Sequence, residues 1–304
     1  MLKKVLITGG SGLLGLNWAL SLRNEYNVTL CLHKRIVNLS GVKSTMCSLD
    51  SIDLISKLLK QEQPDVVINA AGLTSVEKCE EAPDLAEYIN VTIAKNIAIA
   101  CASEGIKLIH ISTDHLFDGT QKFLKEEAPL SPINVYGLTK AKAEEVVFNN
   151  NENSLIIRTN FYGWGTSYRH SFSDFIINSL RKKTYIKLFD DIFYSPILID
   201  ILVQASHELV DKNQVGIFNI VGDTRISKYH FGKELAKIFK LNSNYITRSQ
   251  IKSKLGLIPR PADMSLSNQK VSSCLVREVG SLDNHLEKLF QQENNRISME
   301  LNLL

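Results

Sequence analysis

Tyr136 and Lys140 stand four residues apart in the run Tyr136-Gly137-Leu138-Thr139-Lys140. On a helix that spacing puts both side chains on one face. An ammonium beside a phenol favours phenolate and lowers the phenol's pKa. Such a tyrosine can protonate an alkoxide as it forms, or take the proton back in the reverse direction. The lysine can at the same time hydrogen-bond a ribose. The spacing by itself also describes an ordinary helix-surface pair. Its weight comes from its place, in the helix after a buried strand and downstream of a glycine-rich turn.

That turn is Val5-Leu6-Ile7-Thr8-Gly9-Gly10-Ser11-Gly12-Leu13-Leu14-Gly15. Val5 to Thr8 are strand formers, and Leu13 to Leu22 are helix-compatible. Gly9 permits a tight turn, Gly12 lets backbone approach a pyrophosphate, and Gly15 lets the helix pack close to the strand. Unpaired amides and the positive dipole end at the helix start favour an anion, so Ser11, Leu13 and Leu14 are grouped with the glycines as a dinucleotide site.

About twenty residues past the glycines, an NAD site places an acid on the ribose 2′-hydroxyl. This chain has Leu32-His33-Lys34-Arg35 there. Cations attract a 2′-phosphate, and a guanidinium can grip it with two hydrogen bonds. His33, Lys34 and Arg35 therefore point to NADP(H), with NAD(H) as the alternative; a solvated basic loop would read the same. Asp50 could accept a hydrogen bond from adenine or cap the helix starting near Ser51. The run His110-Ile111-Ser112-Thr113-Asp114-His115 ends another strand. Ligands of open parallel sheets bind at such carboxyl ends, where a hydroxyl could meet a substrate carbonyl.

The elements needed to hold these residues are present. Strand-like segments at Asn27–Leu32, Val42–Cys47, Asp65–Ala70, Lys107–Ser112 and Leu155–Arg158 alternate with helix-like ones at 51–61, 85–103 and 135–149. Alternation of this kind implies an α/β fold, a Rossmann-type doubly wound parallel sheet with helices on both faces. Beyond about residue 160 the rhythm loosens. The expected division is a nucleotide-binding domain over 1–160 and a smaller, interleaved substrate-binding portion over 161–304, with some chain returning to the core. The polar tail from Asn294 is expected to fray.

Composition narrows the class. The 304 residues are 44% hydrophobic and 22% charged, with a net charge of +3, too small to argue for nucleic acid. No apolar run is long enough to span a membrane. Five cysteines without metal-ligand spacing read as reduced thiols, and no metal is expected. Met1-Leu2-Lys3-Lys4 leads straight into the first strand, so no signal peptide is expected and the cytoplasm is the expected compartment. A homodimer is left open.

The set Thr8-Gly9-Gly10-Ser11-Gly12-Leu13-Leu14-Gly15, Asn69-Ala70-Ala71-Gly72, Ser112-Thr113-Asp114-His115-Leu116-Phe117-Asp118-Gly119 and Tyr136-Gly137-Leu138-Thr139-Lys140 resembles the extended short-chain dehydrogenases/reductases. Within them the chain looks most like the dTDP-4-dehydrorhamnose reductase group. Further matches are Ile157-Arg158-Thr159, Ser195-Pro196 with Asp200, and Arg260-Pro261-Ala262-Asp263-Met264-Ser265-Leu266.

The resemblance implies a catalytic set of Thr113 to orient a ketone, Tyr136 as acid/base, and Lys140 to hold the ribose and tune Tyr136. It places Asn69, Ala70 and Ala71 along the cofactor. It assigns Thr74, His115, Asn160, Arg260 and Asp263 to the substrate, with Arg260 suited to a diphosphate. His115 replaces a tyrosine usual in the group, and Asn160 resembles epimerases and dehydratases. The acid pair of the dehydratases is missing, because Asp114 is followed by His115. The implied activity is NADPH-dependent reduction of a nucleotide-activated 4-keto-6-deoxy sugar. A sugar-nucleotide epimerase, or a non-catalytic NADP-binding subunit like those that regulate methionine adenosyltransferase, are the alternatives.

Overall fold

The computed structural model describes residues 2–253 and 256–304. Six strands, β1 (Lys4–Thr8), β2 (Asn27–Leu32), β3 (Lys43–Met46), β4 (Val66–Asn69), β5 (Lys107–Ile111) and β6 (Leu155–Arg158), build a parallel sheet. A seventh strand, Gly216–Asn219, pairs parallel with β6, giving the spatial order Gly216–Asn219, β6, β5, β4, β1, β2, β3. The strand order reverses between β1 and β4, the switch point at which open α/β sheets bind ligands. β4, β5 and β6 are short, apolar and almost wholly buried because helices cover both faces.

The helices over the first half are α1 (Leu13–Leu22), α2 (Ile52–Glu62), α3 (Val76–Glu81), α4 (Pro83–Glu87), α5 (Ile93–Ser103) and α6 (Val135–Asn150). Ser51 caps α2, accepting a hydrogen bond from the Leu54 amide, so Asp50 is not the cap. The single long helix expected over 85–103 is interrupted. Tyr88–Thr92 forms a π-turn between α4 and α5. It sets Asn90 so that its amide bonds both the N–H and the C=O of Leu73 and reaches Thr139.

The later helices are α7 (Phe172–Arg181), α8 (Ile199–Asp211), α9 (Lys228–Ile238), α10 (Gln269–Cys274), α11 (Leu282–Asn294) and α12 (Ile297–Asn302). Among the short strands of this half, Phe193–Tyr194 lies between Ile226–Ser227 and Asp263–Met264. One apolar core runs from Trp18 of α1 through Leu202 of α8 to Leu289 of α11, tying this half to the sheet. The tail does not fray as expected. Leu301 is fully buried, and Glu300 forms a two-pronged ion pair with Arg23, which holds α12 against α1.

The expectation of reduced thiols is corrected for one pair. Cys31 and Cys47 form a disulfide with their Cα atoms 5.8 Å apart. Parallel pairing of Leu32 with Met46, extended by the Cys47 amide bonding the Leu32 carbonyl, puts them side by side. Cys79, Cys101 and Cys274 are free. Among the described residues no helix is long and apolar enough to cross a membrane.

Candidate active site

A cleft of about 470 Å³ opens at the carboxyl ends of β1, β4 and β5. Gly9, Ser11, Gly12, Leu13, Leu14 and Gly15 line one end of it. Gly9 adopts φ +66°, and a Cβ there would lie 2.7 Å from the Ala70 carbonyl, so only glycine lets the turn lie against the β4 terminus. No side chain caps α1, whose N-cap is Gly12, whereas Ser51 and Asn134 cap α2 and α6. The first amides of α1 thus face the cleft without an acceptor from the helix.

The other end holds Thr113, Asp114, His115, Tyr136 and Lys140. Asn134 starts α6 by accepting from the Gly137 amide at 2.8 Å. A Cβ on Gly137 would lie 2.3 Å from the His115 carbonyl, so this glycine allows α6 to press against the segment after β5. That approach brings Tyr136 beside Thr113, whose hydroxyl favours the phenolate. Burial pushes the Tyr136 phenol up to about 12, with the Thr113 hydroxyl acting in the opposite direction.

Lys140 differs from expectation. Its ammonium donates to the Ile111 carbonyl at 2.6 Å and lies 3.5 Å from His110 Nε2, and it is not among the groups that shift the Tyr136 phenol. The buried carbonyl at the end of β5 offers a short charge-assisted bond, so the cation points below the cleft floor. Burial brings Lys140 itself down to about 8, opposed by Glu144.

Asp114 is buried and accepts from Asn160 Nδ2 at 2.6 Å; burial pushes its carboxyl up to about 6. His115 meets the Tyr136 ring edge-on at 5.5 Å, and its Nδ1 is buried with no partner. Burial, with Lys228 and Arg260 nearby, takes it down to about 3, so it is neutral. The Lys228 ammonium lies 3.5 Å over the Tyr194 ring and is itself lowered to about 8 by burial.

The remaining sequence candidates scatter. Ala70, Ala71, Thr74 and Asn160 line the cleft. Asn69 sits beneath it, its amide taken up by Thr8 and His110, so it supports the floor without lining it. His33, Lys34 and Arg35 are exposed past β2. Arg35 stacks 3.8 Å over the Tyr168 ring, and the Tyr168 hydroxyl donates to the Ser11 carbonyl at 2.8 Å. Asp50 accepts from Ser48 and Tyr88, which lower its carboxyl. Arg260 pairs with Glu77 of α3. Asp263 lies outside the cleft lining, held by Arg225 at 2.6 Å and by the Ser265 hydroxyl, also at 2.6 Å.

The sequence reading missed Tyr168, Arg169 and Lys228. Arg169 lines the cleft and reaches across it to the Thr74 hydroxyl at 2.9 Å. These residues come from loops and helix starts of the second half, where no periodic pattern announces a site.

A parallel sheet with a glycine turn after β1, and Thr113, Tyr136 and Lys140 gathered where β5 and α6 meet, defines an extended short-chain dehydrogenase/reductase. The family model described as RmlD substrate binding domain matches residues 3–295, and the chain belongs to that family. It is an NAD(P)-dependent oxidoreductase of the kind that acts on nucleotide sugars. It is 30% identical over 279 residues to the spore coat polysaccharide biosynthesis protein SpsK of Bacillus subtilis, covering 90% of this chain and 92% of that one. It is 26% identical over 277 residues to methionine adenosyltransferase 2 subunit beta of Xenopus tropicalis, covering 88% and 81%. Its fold matches the dTDP-4-dehydrorhamnose reductase of Bacillus anthracis, solved with NADP, at a TM-score of 0.85, with 24% identity and coverage of 96% and 100%.

Proposed function

We propose that this protein reduces a nucleotide-activated 4-keto-6-deoxy sugar with NADPH. The observation that carries the reading is the buried, protonated Tyr136 phenol beside the Thr113 hydroxyl in the cleft that the glycine turn opens. A phenol pushed up to about 12 keeps its proton at neutral pH, which suits an acid that quenches an alkoxide.

The residues present fit a dinucleotide. Gly9 brings the turn against the β4 terminus, and the uncapped α1 amides at Leu13 and Leu14 suit a pyrophosphate. Arg35, held by Tyr168 at the rim, suits a 2′-phosphate, with His33 and Lys34 adding positive charge. Ala70 and Ala71 border the ring end, and Lys140, which lines the cleft, would reach a ribose hydroxyl by turning its ammonium from the Ile111 carbonyl. The Bacillus anthracis protein was solved with NADP, which agrees with this choice.

NADPH, when bound, supplies the hydride that reaches the sugar carbonyl carbon. Thr113 holds the carbonyl oxygen, and Tyr136 gives that oxygen its proton. Asn160, His115 and Thr74 border the space for the sugar, and neutral His115 offers the unpaired Nδ1. Arg260 is assigned to the diphosphate, and Asp263 fixes the segment carrying it through Arg225 and Ser265.

A second reading has a specific observation in its favour, the likeness to methionine adenosyltransferase 2 subunit beta. It predicts NADP binding without turnover. Incubating the protein with NADPH and a nucleoside-diphosphate 4-keto-6-deoxy sugar separates the readings. Stoichiometric loss of NADPH absorbance supports reduction. Product without cofactor loss indicates epimerisation, and binding without any product supports the regulatory role.

A further inference from the structure

Four buried polar side chains run beneath the cleft floor. Thr8 ends β1, Asn69 ends β4, His110 lies in β5 and Lys140 in α6. Thr8 Oγ1 is 2.8 Å from Asn69 Oδ1, Asn69 Nδ2 is 3.0 Å from His110 Nδ1, and His110 Nε2 is 3.5 Å from Lys140 Nζ. The first three residues are 1% exposed and Lys140 is 5% exposed, so bulk solvent scarcely reaches them. Thr8 Oγ1 also lies 3.5 Å from the Ile68 carbonyl and 3.4 Å from the Ala71 amide, which borders the cleft.

A neutral imidazole has one donor and one acceptor. An Asn69 N–H and a Lys140 ammonium cannot both donate to it. Two complete arrangements satisfy the chain. In one, the ammonium donates to His110 Nε2, the ring proton sits on Nδ1 and donates to the Asn69 amide oxygen, and Asn69 donates to Thr8, whose hydroxyl turns to Ile68. In the other, Lys140 is an amine that accepts from Nε2–H, Nδ1 accepts from Asn69, and the Thr8 hydroxyl donates to Asn69.

We propose that His110 is a positioning residue whose tautomer follows the charge of Lys140, with Asn69 and Thr8 reversing their hydrogen bonds in step. Its value to the reaction rests on the reading of Lys140 as the ribose-holding cation. The charged group facing His110 is Lys140, and burial beside that cation holds the ring well below its ordinary pKa, so it exchanges tautomers without taking a second proton. Lys140 is faced on α6 by Glu144, which Arg158 of β6 and Ser112 hold, and by the protonated Tyr136 one turn before it. With Lys140 brought down to about 8, the exchange falls in a workable pH range.

The test is ¹⁵N NMR of the histidine-labelled full chain between pH 6 and 10, with the His110 signal assigned from its loss in His110→Phe. The expected result is Nδ1–H at low pH and Nε2–H at high pH, with a midpoint near that of Lys140, and no exchange in Lys140→Met. A His110 tautomer constant over this range, or one that changes equally in Lys140→Met, overturns the proposal. NADPH binding followed by fluorescence across the same range gives a second readout. His110→Phe removes a charge-assisted bond from the ammonium and a weaker neutral one from the amine, so the alkaline midpoint moves down by the difference, at most about one pH unit; an unmoved or raised midpoint contradicts the positioning role. Failure of NADPH to bind at any pH would instead remove the cofactor reading, while the NMR exchange still decides the tautomer.

Discussion

Glu144 and Arg158 form an ion pair at 2.7 Å with side chains only 3% and 2% exposed, and Glu144 also accepts from Ser112 at 2.5 Å. The pair joins α6 to β6 and to the residue before Thr113, so it fixes the distance across which Tyr136 and Thr113 meet. Removing one partner leaves a buried charge. Arg158→Met is expected to cost about 3–5 kcal/mol in urea unfolding, while a double replacement by apolar residues recovers most of that loss. Additive losses from the two single changes would show that the carboxylate and guanidinium are not coupled.

Asp114 is a carboxylate whose burial opposes folding in its charged form. Its folded pKa of about 6 lies above the ordinary value of 3.8. Folding is therefore penalised by its charge, and the penalty grows as pH rises from about 4 to about 6 and stays constant above. Asp114→Asn is expected to raise stability at pH 7 by about 2–3 kcal/mol, the gain vanishing below about pH 4. A Tm difference that is independent of pH would contradict this account. Activity should fall in the same variant, because the bond from Asn160 is altered.

Arg35 and Tyr168 hold the rim beside Ser11. Arg35→Ala is expected to weaken NADPH binding about 10- to 100-fold and NADH binding much less, since the lost bonds go to the 2′-phosphate. Tyr168→Phe removes the bond to the Ser11 carbonyl but keeps the stacked ring, and should weaken both cofactors by a similar, smaller factor. Fluorescence titration with the two nucleotides checks both. Equal losses for NADPH and NADH in Arg35→Ala would move the 2′-phosphate away from this side chain.

The parts of the fold legible in sequence are those set by local pattern. β2, β6 and α1 fall where strand propensity, buried apolar runs and the glycine turn place them. Thr113 follows the end of β5, and Tyr136 and Lys140 share a face of the first turns of α6, so the pattern marks the region where they line one cleft. What could not be read depends on the spatial order of elements. Lys140 turns to Ile111 and His110 because α6 packs over β5. Cys31 meets Cys47 through the β2–β3 register. Arg260 reaches Glu77, and Arg169 reaches Thr74, across loops far apart in the chain. No periodicity carries such contacts. The π-turn at Tyr88–Thr92 was hidden as well, because its apolar residues also fit an ordinary helix.

In the proposed reaction the Tyr136 phenol delivers the proton. This is tested most directly by following NADPH absorbance with a nucleoside-diphosphate 4-keto-6-deoxy sugar, for the native protein and for Tyr136→Phe, with NADPH affinity measured on both. Loss of the acid is expected to lower kcat by about 10²- to 10⁴-fold while NADPH still binds. Undiminished turnover in Tyr136→Phe would contradict the account.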